Sequence, residues 1–291
     1  MADGSPALTG EYEITLRRDS RGGGKSERPF LSIDAIDLSY DRYVLLIHGW
    51  NTTADGAKEV YRSWSTSLLE LASSLAGKIG FVYWPADKVG AEQYFSYPAR
   101  VHTAIECAPD LAETLGKWAY SRGRFPEIVL IAHSLGARLL IETLKNLKPE
   151  QRATVSVVLM AAAYPVDDAL DPATADVLAS VRSMVLYSIS DDVLRYTFPT
   201  AEWAAKLPGA RRFEAVGLYG GPIETWGERR MMNRLGHNEY WQNDGVRRRI
   251  CRFLGIPVAV DTPERELPSK SAPQSHDIDE RFLAMRGSPA R

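Results

Sequence analysis

The chain has 291 residues, 45% of them hydrophobic, enough apolar side chain for one large α/β domain or two small ones. Its 35 basic and 37 acidic residues nearly cancel, so no whole-chain field draws in phosphate backbones or anionic membranes, and nucleic acid is not an expected partner. Cys107 and Cys251 make neither a disulfide framework nor a zinc site, no apolar run approaches the ~20 residues of a membrane span, and "MADGSPALTG" lacks a basic-then-apolar leader, so the expectation is a cytoplasmic protein without membrane insertion.

Residues 1–10 read as a flexible N-terminus, 11–256 as one domain, and 257–291 as a flexible tail whose Pro, Ser and charge cannot bury enough apolar surface to offset ordering it. Within the tail, "DIDERFLAMR" has the pattern of a short amphipathic helix. In chain order the predicted strands are "EYEITLRR", "PFLSIDAI", "RYVLLIHG", "GKIGFVYW", "EIVLIAHS", "VSVVLMAA", "VRSMVLYSIS" and "RRFEAVGLYG". Helical periodicity predicts cover over Lys58 to Ala76, Val101 to Ser121, Leu135 to Leu147, Ala173 to Arg182 and His237 to Phe253. Several strands are apolar at nearly every position, as strands covered on both faces require. The alternation gives a doubly wound, mostly parallel sheet of about eight strands. The first two, separated only by the Gly-rich "SRGGGKSER", form an antiparallel edge.

The segment "IAHSLGAR" places Ser134 between the strand "EIVLIA" and the helical "LGARLLIETLKNL", the setting of a nucleophile elbow. Ala132 and Gly136 are small because strand and helix backbones approach closely there. A second strand runs into His48-Gly49-Trp50, and the main-chain amides of Trp50 and Leu135 are the expected oxyanion donors. His48 itself reads as a residue that shapes this loop. A serine needs a base, and the chain order serine, acid, histidine points to His237 in "RLGHNEYW", since His276 lies in the tail. His133 is expected to point to the opposite side of the turn and to pack, and His102 to face solvent. The acid belongs in the loop after "VRSMVLYSIS", where Asp191 comes first and Asp192 is free to face solvent or cap a turn, with Asp167 and Asp168 in reserve after the preceding strand.

From about Tyr43 to Leu254 the chain resembles the α/β-hydrolase superfamily, and more narrowly a branch of mainly bacterial hydrolases without assigned substrates. The resemblance rests on "HGWN", "FVYWP", "AHSLG", "LYSISDDVL" and "GHNEYW" in that order. It implies Ser134, His237 and Asp191 as a triad. Ala86 after Trp84-Pro85, where that branch commonly has Ser, and "HNEYW" in place of His-Ser-Tyr-aromatic are departures at the pocket wall.

The sequence therefore predicts a serine hydrolase of small to medium carboxylic esters, acting through an acyl-enzyme on Ser134 with no metal or organic cofactor. Acyl transfer, thioester or amide cleavage by the same groups, and a non-catalytic binding module, are the alternatives. The expected partner is a small-molecule ester, while oligomeric state is not legible. His48, Gly49, Trp50, Trp84, Tyr164 and Tyr240 are the expected pocket residues. The stretch between the sixth and seventh predicted strands is too short for a cap domain. The segment Gly220 to Gly236, with Trp226, Met231, Met232, Arg229, Arg230 and Arg234, reads either as a solvated connection or as a partial wall whose arginines favour substrates with a remote anionic group.

Overall fold

The computed structural model describes residues 12–17, 25–31, 40–87, 96–120, 126–205 and 214–258. In chain order these form β1 (Tyr12–Arg17), β2 (Lys25–Leu31), β3 (Arg42–Ile47), α1 (Ala54–Leu71), β4 (Ile79–Tyr83), α2 (Ser96–Tyr120), β5 (Glu127–His133) and α3 (Gly136–Asn146). There follow α4 (Pro149–Arg152), β6 (Val155–Met160), α5 (Val166–Ala169), α6 (Pro172–Ala179), β7 (Arg182–Tyr187), α7 (Phe198–Ala205), α8 (Val216–Tyr219), β8 (Glu228–Met231) and α9 (Asp244–Phe253).

The eight strands lie side by side as β2-β1-β4-β3-β5-β6-β7-β8. Only β1 and β2 pair antiparallel, and every other neighbouring pair is parallel. The uninterrupted apolar runs have their cause here: β4 and β6 are buried at every residue, and β3 and β5 at every residue but the first. From β3 the chain crosses to β4 on one side, then returns past β3 to β5, so right-handed crossovers put α1 and α2 on opposite faces of the sheet. This is the α/β-hydrolase fold. Between β6 and β7 only the short α5 and α6 intervene, so no cap domain is inserted there. Among the described residues no helix is long and apolar enough to cross a membrane.

Three expectations are corrected. The predicted strand at 211–220 is not a strand: 211–213 lie outside the described residues, and the chain from Glu214 makes a single bridge, Pro165 to Ala215, before the one-turn α8. The reason is close packing against the chain after β6. Gly217 donates to the Ala162 carbonyl at 2.9 Å, and a Cβ on it would lie 2.1 Å from the Ala162 nitrogen. The eighth strand comes instead from the segment that reads as a connection or wall. β8 pairs parallel with β7, Met231 opposite Tyr187, and as an edge strand rich in charge it has no apolar run to announce it. The third correction is α7, which stands where no helix is expected, next to a π-helical turn at Val193–Thr197. Residues 1–10, the tail from 259 with "DIDERFLAMR", and His276 lie outside the described residues.

Candidate active site

Strand order reverses at β3, so the loops after β3 and β5 diverge in front of the strand ends, where doubly wound sheets open a crevice. The pairing of Ile47 with Ala132 sets His48 beside His133 and brings Gly49 against Ser134, close enough that a Cβ on Gly49 would lie 2.7 Å from that of Ser134.

Ser134 has φ +52°, a left-handed conformation that costs a side-chain-bearing residue free energy and persists only when its surroundings fix it. Two hydrogen bonds do so. The Ser134 N–H donates to the Met160 carbonyl at 3.0 Å, and the Ser134 carbonyl accepts from the Ala163 N–H at 3.1 Å. Gly136 supplies the clearance for α3 to start here, since a Cβ on it would meet the His48 carbonyl oxygen at 2.5 Å.

The turn presents the Ser134 hydroxyl to His237, with Oγ 2.8 Å from Nε2. On the other side of the ring, Nδ1 lies 2.8 Å from Asp191 Oδ2. A carboxylate can only accept, so Nδ1 carries the proton and Nε2 is free to accept from the hydroxyl. Asp191 is fully buried, and its second oxygen accepts from the Leu194 N–H at 2.9 Å. Asp192 and Asp167 are exposed, while Asp168 turns to Arg138, 3.4 Å from its Nη1. The structure thus brings Ser134, His237 and Asp191 into one line. Among the described residues, the main-chain N–H groups of Trp50 and Leu135 donate to no protein acceptor.

The loop carrying Trp50 is held by His48 and Trp84. The indole N–H of Trp84 donates to the His48 carbonyl at 2.8 Å, and the rings stack with centroids 5.8 Å apart. His48 Nδ1–H donates to the Gly49 carbonyl at 3.0 Å, and burial lowers the imidazole pKa to about 4, so the ring is neutral. The chain after β4 is fixed in turn by Arg17, which donates to the Trp84 carbonyl at 3.1 Å and pairs with Asp87, and by Arg100, which donates to the Pro85 carbonyl at 3.1 Å.

The expected pocket lining is corrected by burial. Trp84 and Tyr240 are 0% exposed and Tyr164 1%. These are core side chains: Trp84 locks the loop, Tyr164 lies 5.0 Å from the Arg138 guanidinium carbon, and burial with the Asp191 charge beside it pushes the Tyr240 phenol well up. Trp50 is half-buried, its ring edge-on to Tyr97 at 5.5 Å. Of the arginines offered as a remote anion site, Arg230 pairs with Glu228 at 2.5 Å and Arg229 lies over the Tyr187 ring. A groove lined by Pro109, Ala112, Gly116, Lys148 and Gln151 lies at the other end of α3 and holds none of these groups.

One residue near the serine is expected to face away and does not. His133 is 4% exposed, its Nε2–H donates to the main-chain carbonyl of His237 at 2.7 Å, and the two rings are 5.0 Å apart. Among the described residues no group of three His, Cys, Asp or Glu stands ready to hold a metal ion.

A family model described as a protein of unknown function, DUF726, matches residues 56–219, which include Ser134 and Asp191 and stop short of His237. No curated protein matches. Among solved structures, the chain is similar to an uncharacterized protein from Bacillus cereus, with 12% identity and a TM-score of 0.46, over 75% of this chain and 60% of that one. It is also similar to a predicted CIB-like hydrolase from Thermoplasma acidophilum, with 15% identity and a TM-score of 0.42, over 78% and 90% of the two chains. The acyl-protein thioesterase 2 of Zea mays is 14% identical with a TM-score of 0.42, over 74% and 93%.

Proposed function

The chain belongs to the DUF726 family of proteins of unknown function, and from its own geometry we propose that it is a serine hydrolase of carboxylic esters with small to medium acyl groups. The observation that carries this reading is the line of two 2.8 Å contacts from Ser134 Oγ through His237 to Asp191, on a serine held at φ +52°.

In this reading Ser134 Oγ attacks the ester carbonyl carbon while His237 Nε2 takes its proton, and Asp191 stabilises the imidazolium through Nδ1–H. The carbonyl oxygen, now carrying the negative charge, accepts from the N–H groups of Trp50 and Leu135. As the tetrahedral adduct collapses, the C–O bond to the alcohol breaks, and His237 returns the proton to the departing oxygen. The acyl group remains on Ser134. A water, deprotonated by His237, then attacks the acyl carbon, and the acid leaves as Oγ recovers the proton.

Initial rates on p-nitrophenyl esters from acetate to palmitate test the reading. The expected result is turnover highest at short and medium chains, with no jump at the micelle threshold, falling by about 10⁴- to 10⁶-fold in Ser134→Ala. Equal turnover in Ser134→Ala, or none of any ester in the folded protein, would overturn it.

A further inference from the structure

We propose that His133 is a positioning residue for the base: by donating from Nε2 to the main-chain carbonyl of His237, it holds the imidazole over Ser134. The proposal rests on the reading of Ser134 and His237 as nucleophile and base.

His237 lies between β8 and the 3-10 turn at Glu239–Gln242, outside any long helix or strand, so its position depends on what ties that loop to the sheet. His133 is the last residue of β5 and the one immediately before the nucleophile. Its 2.7 Å hydrogen bond therefore joins the loop of the base to a central strand, one residue from the atom that the base must reach. The ring is wedged in place: its centroid lies 5.0 Å from that of His237, 5.5 Å from Trp241 and 6.3 Å from Tyr240. On the side of the β3 loop, a Cβ on Gly49 would come within 3.2 Å of His133 Nδ1. One buried imidazole thus hydrogen-bonds to the loop of the base and lies beside the loop that carries Trp50, where only a glycine at 49 leaves it room.

The charge state suits the task. In the proposed mechanism His237 becomes a cation, and a second cation against it would oppose the step. Burial, and next the charge of His237, bring the His133 pKa down to about 3, so it stays a neutral ring with a single N–H. The titratable groups facing it are His237, His48 and Tyr240, with Asp191 behind Tyr240. His48 is likewise kept neutral, and Tyr240 is held in its protonated form. With one proton on the ring and a carbonyl as its partner, that proton is on Nε2. Gln carries an amide donor to about the same reach without a charge. Asn stops short of it, and Phe fills the space with no donor.

The rate at which a fluorophosphonate modifies Ser134, measured on folded wild-type protein, His133→Gln, His133→Phe and His133→Asn, tests this. His133→Phe and His133→Asn are expected to react about 10- to 100-fold more slowly than wild type, the scale of loss from a catalytic group displaced by about 1 Å, with His133→Gln restoring most of the rate. If His133→Phe does not fold, the Gln and Asn variants make the same comparison. A role in packing alone would change the unfolding midpoint and leave the rate per folded molecule equal in all four proteins, which would overturn the proposal while leaving Ser134 as nucleophile. No modification of wild-type Ser134 would overturn the reading of the site and this proposal with it.

Discussion

Asp191 and Asp192 are adjacent in sequence and opposite in environment, one buried with both oxygens engaged and one exposed. Replacing Asp191 by Asn offers His237 the wrong tautomer and is predicted to slow ester turnover by roughly 10⁴-fold, while Asp192→Asn leaves it essentially unchanged. Steady-state rates of the two variants check this, and the reverse ranking would contradict it. That Ser134, His237 and Asp191 come together was legible because each has a local signature: a strand-to-helix turn flanked by small residues, a histidine past the last strand, and the first acid after an apolar strand. His133 was not. Side chains alternate across a strand, so its neighbour in sequence should point the other way. Ser134 has left the strand for the left-handed region, and the alternation ends with it. The pocket aromatics were misplaced for another reason: a tryptophan or tyrosine near a strand end reads alike as core or lining, and only packing distinguishes them.

At the scale of elements, α7 is the helix the sequence concealed, because Pro199 looks like a breaker and is tolerated only in the first turn, where it falls. A buried charge anchors this helix. Glu202 is 0% exposed and lies 2.9 Å from Arg138 Nη2 on α3, and its Oε1 also accepts from the Tyr97 hydroxyl on α2 at 3.1 Å. Burial, and next the Glu202 charge, push the Tyr97 phenol well up, which keeps it a donor. Removing Arg138 strands the Glu202 carboxylate in the core, whereas removing Glu202 leaves Arg138 with Asp168, 3.4 Å from its Nη1. Arg138→Met is predicted to cost about 3–5 kcal/mol and Glu202→Met less, with the double variant more stable than Arg138→Met alone, because it buries no unpaired carboxylate. Chemical denaturation of the three variants checks this, and simple additivity would contradict it. β8 was missed because an edge strand needs no apolar run, whereas β3 to β7 were found because doubly covered strands do.

For the whole molecule, two buried neutral histidines tie stability to pH. The folded-state values of His48 and His133, about 4 and about 3, lie below the 6.5 of the unfolded chain, so between these limits the unfolded state takes up two protons that the folded state refuses. Stability from this source is complete above pH 6.5 and is lost as pH falls through it, by about 3–4 kcal/mol from pH 7 to pH 5. Denaturation midpoints at pH 7, 6 and 5 should fall accordingly, and His133→Gln should show about half the slope. A flat profile would contradict it. The doubly wound class, and with it the strand ends where Ser134 and Asp191 lie, were legible at this scale from the alternation of apolar runs and helical segments. The strand that closes the sheet was not, since pairing at an edge is decided by the neighbour and not by the strand's own residues. In the proposed function this fold activates one serine. Incubating the folded protein with a fluorophosphonate, weighing it intact and mapping the adduct tests it most directly. One adduct per chain is expected, on Ser134, absent from Ser134→Ala and strongly slowed in His237→Ala. An adduct on another residue, or none in the folded protein, would contradict it.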